Sequence, residues 1–126
     1  MQIGVDCQLA VGTRRIFVLD GDDIGRMAVQ FMLHDEYETH ELSSLENAVS
    51  KAQEWPPDLV ILGEDLWTDP EILESARDAF PGARFLLVGD PDSESARAVL
   101  ASGMPLIDKP LRLETVRSRV AAALSG

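Results

Sequence analysis

Two short polar segments, each closing an apolar run, carry the residues whose types and spacing could do chemistry. Asp20, Asp22 and Asp23 put three carboxylates within four positions, directly after Ile16-Phe17-Val18-Leu19. Carboxylates packed this closely repel one another unless solvated, protonated or bound to a cation, and a hard cation such as Mg²⁺ prefers such oxygen ligands. The plainer reading is a solvated turn in which Asp23 caps the following helix. Asp20 stands apart, because it directly follows a buried run, where a carboxylate facing a crevice is costly to keep. The second segment is Asp108-Lys109-Pro110, which closes Pro105-Leu106-Ile107. A proline favours extended geometry in the residue before it, so Lys109 presents an ammonium at a strand end. An ammonium facing two carboxylates suits the binding of an anion together with a metal.

These segments belong to a repeated pattern. Asp58-Leu59-Val60-Ile61-Leu62 stops at Gly63-Glu64-Asp65, and Arg84-Phe85-Leu86-Leu87-Val88 stops at Gly89-Asp90-Pro91. Short apolar runs ending in polar loops are the pattern of buried parallel strands, and a fifth, more polar strand is expected from Tyr37 to Leu42. The intervening segments have helical period. Ile24, Met27, Ala28 and Phe31 form a stripe that predicts an amphipathic helix over Asp23 to His34, and Leu45, Ala48, Val49 and Ala52 predict a second. Ser43 and Glu46 read as a capping box for that second helix, with Trp55-Pro56-Pro57 ending it. Two further helices are expected from Pro70 to Phe80 and from Ser93 to Ser102, stopped by Pro81-Gly82 and Gly103, and a last one carries Leu113, Val116, Val120 and Leu124. Five strands alternating with five helices predict an α/β fold: a doubly wound parallel sheet with helices on both faces, flavodoxin-like in its winding. The loops after Leu19, Leu62, Val88 and Ile107 then converge on one crevice, where function is to be sought.

The 126 residues suit one domain, read as residues 14–126 behind an N-terminal extension of residues 1–13. With 22 acidic and 11 basic residues the net charge is −11, which repels phosphate backbones and anionic lipid, so neither nucleic acid nor membrane is an expected partner. The only cysteine, Cys7, has no internal partner, which fits a reducing, cytoplasmic setting, and no motif links it to His34 or His40, so it reads as a tail residue and not a catalytic one. No stretch approaches the roughly 18 apolar residues of a membrane span.

Taken in order, Ile16-Phe17-Val18-Leu19-Asp20, Tyr37-Glu38, Ala48-Val49, Pro57-Asp58-Leu59-Val60-Ile61-Leu62 and Asp108-Lys109-Pro110 make the chain resemble the bacterial response-regulator receiver domain from about Arg14 to Leu124. In that family an acidic loop and an aspartate after the third strand hold Mg²⁺. The aspartate takes a phosphoryl group from a partner kinase, a Ser or Thr after the fourth strand senses it, and a lysine holds it. The resemblance implies that Asp20 is the first acidic position and Lys109 the phosphate-clamp lysine. It also implies three departures. The second acidic position falls on Gly21, with Asp22 able to reach in; the phosphoryl acceptor falls on Gly63; and the hydroxyl sensor falls on Gly89.

Leu66, three positions after Gly63, matches the apolar residue the family places after its aspartate, which favours this register. Asp65, two residues on, remains an alternative acceptor. Glycine offers neither nucleophile nor metal ligand, so ordinary aspartyl phosphorylation is expected to fail unless Asp65 serves. Either glycine also has a plainer reading, as a tight turn needing positive φ. The expected molecule is non-enzymatic, has no required cofactor, leaves Mg²⁺ as an open question for Asp20 and Asp22, and acts by binding signalling proteins such as a histidine kinase, a phosphotransfer protein or a downstream regulator. Its expected partner face includes Met104, Leu106 and Pro110, and self-association as a homodimer stays open. A nucleotide or flavin binder is disfavoured by the lack of a Gly-rich phosphate-binding run.

Overall fold

The structure is a computed structural model, and it describes residues 14–125. The expectations placed on residues 1–13, Cys7 among them, fall outside the described residues. Five strands, β1 Arg15–Leu19, β2 Glu38–Leu42, β3 Leu59–Leu62, β4 Arg84–Gly89 and β5 Leu106–Asp108, form one parallel sheet in the order β2-β1-β3-β4-β5. From β1, in the interior of the sheet, the chain steps out to β2 and crosses back to β3 on the other side of β1. That reversal opens a crevice at the carboxyl ends of β1 and β3. Register brings the ends of β1 and β3 level, Leu19 pairing with Leu62, and those of β4 and β5, Gly89 pairing with Asp108, while β4 runs on past Leu87, the partner of Leu62.

Side-chain alternation splits the core in two. Phe17, Leu19, Val60, Leu62, Leu87 and Leu106 meet α2 Leu45–Ala52, α3 Glu64–Trp67, α4 Pro70–Ala79 and α5 Glu94–Ala101. Ile16, Val18, Leu59, Ile61, Val88 and Ile107 meet α1 Asp23–Leu33 and α6 Leu113–Ser125. Both layers are continuous, and each fully buried aliphatic side chain contributes about 1.5–3 kcal/mol. The expected doubly wound α/β architecture is therefore present, with one helix more than expected. At four residues, α3 is too short to show a period, so Glu64 and Asp65 read as loop in the sequence.

Three local expectations are corrected. The stripe expected to bury α1 is its outer face: Ile24 is 81% exposed and Phe31 73%, while Val29 and Leu33 enter the core. Apolar residues surround much of this helix, and the stripe that packs on the sheet is Val29, Met32 and Leu33, while Arg26 Nη1 donates to the Asp20 carbonyl at 2.8 Å. Ser44, not Ser43, caps α2, its hydroxyl accepting the Asn47 amide at 3.2 Å. Leu113 on α6 is half-exposed, although Val116 and Val120 are fully buried as expected. Gly103 ends the α5 segment as expected, at φ +92°, a left-handed conformation that glycine adopts without strain.

Candidate functional site

Asp20 leaves β1 and turns its carboxyl group across the end of β3. The Gly63 amide donates to the Leu19 carbonyl at 2.9 Å, which ties the two strand ends together. A Cβ on Gly63 would fall on the Asp20 carboxyl, so glycine is what allows Asp20 to lie there. Asp20 Oδ1 accepts the Asp22 amide at 2.9 Å, and the residue is only 7% exposed. Asp65 comes back over the first loop, and a Cβ on Gly21 would fall on its Oδ2.

The two carboxyl groups thus meet across a pair of glycines. Burial pushes the Asp20 pKa up to about 6, opposed by the hydrogen bond from the Asp22 amide and reinforced by the hydrogen bond to Asp65 and the charges of Asp65 and Asp22. As the pH falls below about 6, Asp20 takes up a proton, which relieves the repulsion that the loop sequence implies.

A cleft of about 340 Å³ opens above the pair, lined by Asp20, Asp22, Glu64, Asp65, Thr68 and Lys109. The residues carried over by resemblance, Asp20, Asp22, Lys109 and the alternative Asp65, therefore converge. Asp23 does not join them. It pairs with Arg26 at 2.7 Å, and Asp22 takes the helix cap, accepting the Gly25 amide at 3.3 Å, which corrects the expectation for Asp23.

The donor set does not fit Mg²⁺. Asp20 is committed to the Asp22 amide and to Asp65, Gly63 brings no carboxylate, and among the described residues no group of three or more acidic, His or Cys side chains is placed to hold a metal.

The other half of the cleft is built by α3, which the sequence reading missed. Glu64 and Trp67 lie three residues apart, on one helical face, and both turn toward the end of β4. Trp67 is 2% exposed, and its indole Nε1 donates to the Val88 carbonyl at 2.9 Å. A Cβ on Gly89 would stand 2.7 Å from Cζ2 of this ring. Glu64 Oε2 accepts the Asp90 amide at 3.3 Å, and Oε1 lies 3.7 Å from Lys109 Nζ. Thr68 donates its hydroxyl to the Glu64 carbonyl at 2.8 Å. The positive-φ reading of the two strand-end glycines is thereby corrected: Gly63 sits at φ −76°, and among the described residues only Gly103 has positive φ. Close approach of another side chain requires glycine at both places.

Of the residues expected on the partner face, one is corrected. Leu106 is 2% exposed and belongs to the core beneath α5, because its place in a β-strand points it inward, so it presents nothing to a partner. Met104 is half-buried along a separate apolar groove of about 320 Å³ with Trp67, Leu73 and Val99. Pro110 is exposed, and the Lys109–Pro110 peptide is cis. His40 pairs with Glu38 on β2, away from the cleft.

No protein-family model and no curated protein sequence matches the chain. Solved structures do. A response regulator from Thermotoga maritima is 20% identical with a TM-score of 0.75, over 90% of this chain and 99% of that one. The chemotaxis response regulator CheY4 of Vibrio cholerae is 21% identical with a TM-score of 0.73, over 89% and 99%. A response regulator receiver domain protein from Methanospirillum hungatei is 21% identical with a TM-score of 0.74, over 90% and 95%. TM-scores of 0.73 to 0.75 over nearly the whole of these proteins establish that this chain has the response-regulator receiver fold.

Proposed function

We propose that the chain is a non-enzymatic module of two-component signalling that works in the cytoplasm by binding proteins, without ordinary aspartyl phosphorylation. One observation carries this reading: Gly63 stands at the end of β3, and the volume an acceptor side chain would need is taken by the Asp20 carboxyl. Glycine has no atom that can attack phosphorus. Gly89 likewise brings no hydroxyl of its own to the cleft, and the space a side chain there would need is filled by the Trp67 ring. An apolar stripe supports contact with a protein, since Ile24, Met27 and Phe31 are exposed along the helix that starts at the cleft mouth. The partner this reading names is a histidine kinase, a phosphotransfer protein or a downstream regulator, and the contact surface moves from Leu106 to this stripe.

Incubation of the full chain with Mg²⁺ and acetyl phosphate, followed by intact-mass measurement, tests the reading. No gain of a phosphoryl mass is expected. A gain that disappears in Asp65→Asn would establish the second reading instead, phosphorylation at Asp65. That alternative is favoured by one feature, the presence of the Asp65 carboxyl in the same cleft as Lys109.

A further inference from the structure

Lys109 and the loop after β4 form a two-donor anion site. The Lys109 ammonium and the Asp90 amide converge from different segments on the two oxygens of one carboxylate, at 3.7 Å and 3.3 Å. We propose that Glu64 is a tethered ligand of this site, a carboxylate supplied by the chain itself that excludes phosphate-like anions from it. Several features hold Glu64 there. Its helix is pinned by Trp67, buried against the sheet with its indole bonded to Val88, and by the Thr68 hydroxyl bonded to the Glu64 carbonyl. Gly89 leaves the space, since a Cβ there would stand 3.2 Å from Glu64 Oε2.

The lysine end strand is fixed as well, because the Lys109 amide donates to the Gly89 carbonyl at 3.0 Å. A ligand carried on the same chain acts at an effective concentration of roughly millimolar or above, so a free anion competes at a disadvantage. Asp20, Asp22 and Asp65 line the same cleft and add repulsion against any incoming anion. The geometry on each side is loose and partly exposed, which makes Glu64 a displaceable occupant and not a buried ion pair.

Inorganic phosphate, which cannot phosphorylate the chain, probes this site independently of the question of Asp65. Amide signals of ¹⁵N-labelled full chain are followed by NMR during titration to roughly 20 mM phosphate, near the effective concentration expected of a tethered ligand. Wild type is expected to remain far from saturation at Asp90 and Lys109 over this range. Glu64→Ala is expected to show saturable shifts at both, with apparent affinity at least about tenfold tighter than wild type. The gain is expected to vanish in Glu64→Ala with Lys109→Met. Glu64→Gln, which keeps the acceptor but not the charge, serves in place of the alanine variant if that variant loses its Trp67 indole signal. Equal phosphate response in wild type and variant overturns the proposal, as does an Asp90 amide that stays silent in the opened variant, or binding that persists without Lys109.

Discussion

The ends of β3 and β4 use the same device with opposite electrostatics. In each, a glycine makes room for a side chain delivered by another element. At Gly63 the guest is the Asp20 carboxyl, desolvated and facing a second carboxyl, and its raised pKa records the cost. At Gly89 the guests are Trp67 and Glu64, one buried with its indole hydrogen-bonded and the other facing a cation and an amide. The β4 end therefore holds the site together, and the β3 end sets it under tension. Position in the sheet does not distinguish these ends, because both face the same crevice. The chemistry of the guest does.

The largest expected effect lies at the satisfied end. Trp67→Ala removes a buried indole and leaves the Val88 carbonyl without its partner, a loss of about 3–5 kcal/mol in chemical denaturation. Trp67→Phe keeps most of the volume and is expected to cost about 1–2 kcal/mol, the share of the hydrogen bond. A Trp67→Phe variant as stable as wild type would mean that the indole N–H contributes nothing.

Gly89→Ala comes next, at about 2–3 kcal/mol, because its Cβ meets a rigid ring 2.7 Å away that is packed on all sides. In a Trp67→Ala background the same substitution is expected to cost less than 1 kcal/mol. Additive losses in the double variant would show that the glycine and the ring do not compete for space.

At the strained end the expected sign reverses. The folded pKa of Asp20, about 6, lies above its unfolded value of 3.8, so its contribution to stability is fully present below pH 4 and is lost as the pH rises through 6. Asp20→Asn removes that loss. A gain of about 1–2 kcal/mol at pH 7.5 is expected, with little or none at pH 3.5; the figure is kept below the full displacement of the pKa because the carboxyl borders an open cleft. Thermal melts at the two pH values read the difference, and a variant destabilised at pH 7.5 would mean that the Asp22 amide bond outweighs the repulsion.

Much of the fold was legible because apolar runs and helical periods do not depend on which elements touch. All five strands were bounded to within about a residue, and the convergence of Asp20, Lys109 and Asp65 followed from parallel winding alone. What stayed hidden depended on partners distant in sequence. Helix α1 carries two apolar stripes, Ile24-Met27-Phe31 and Val29-Met32-Leu33, and only packing on the sheet decides that the second is the buried one. Helix α3 is one turn long, too short for a stripe, so Glu64 and Trp67 carried no sign that they would fill the end of β4. Both strand-end glycines were marked by position, but their reason was not. The phrase "tight turn" explains a glycine from its own backbone, whereas these two are explained by the volume of Asp20 and Trp67.

The smallest effect sharpens the contrast between the two ends. Gly63→Ala places a Cβ on the Asp20 carboxyl, but that carboxyl is the end of a short side chain beside an open cleft and can rotate away. The rotation gives up the Asp22 amide bond and at the same time relieves desolvation and the contact with Asp65, so the two changes largely cancel. A loss of about 1 kcal/mol is expected, below that of Gly89→Ala although the overlap at Gly63 is the closer of the two. In an Asp20→Gly background the loss is expected to disappear, because nothing then occupies the space. If Gly63→Ala instead costs as much as Gly89→Ala, Asp20 is held as firmly as Trp67, and the β3 end is as rigid a part of the site as the β4 end.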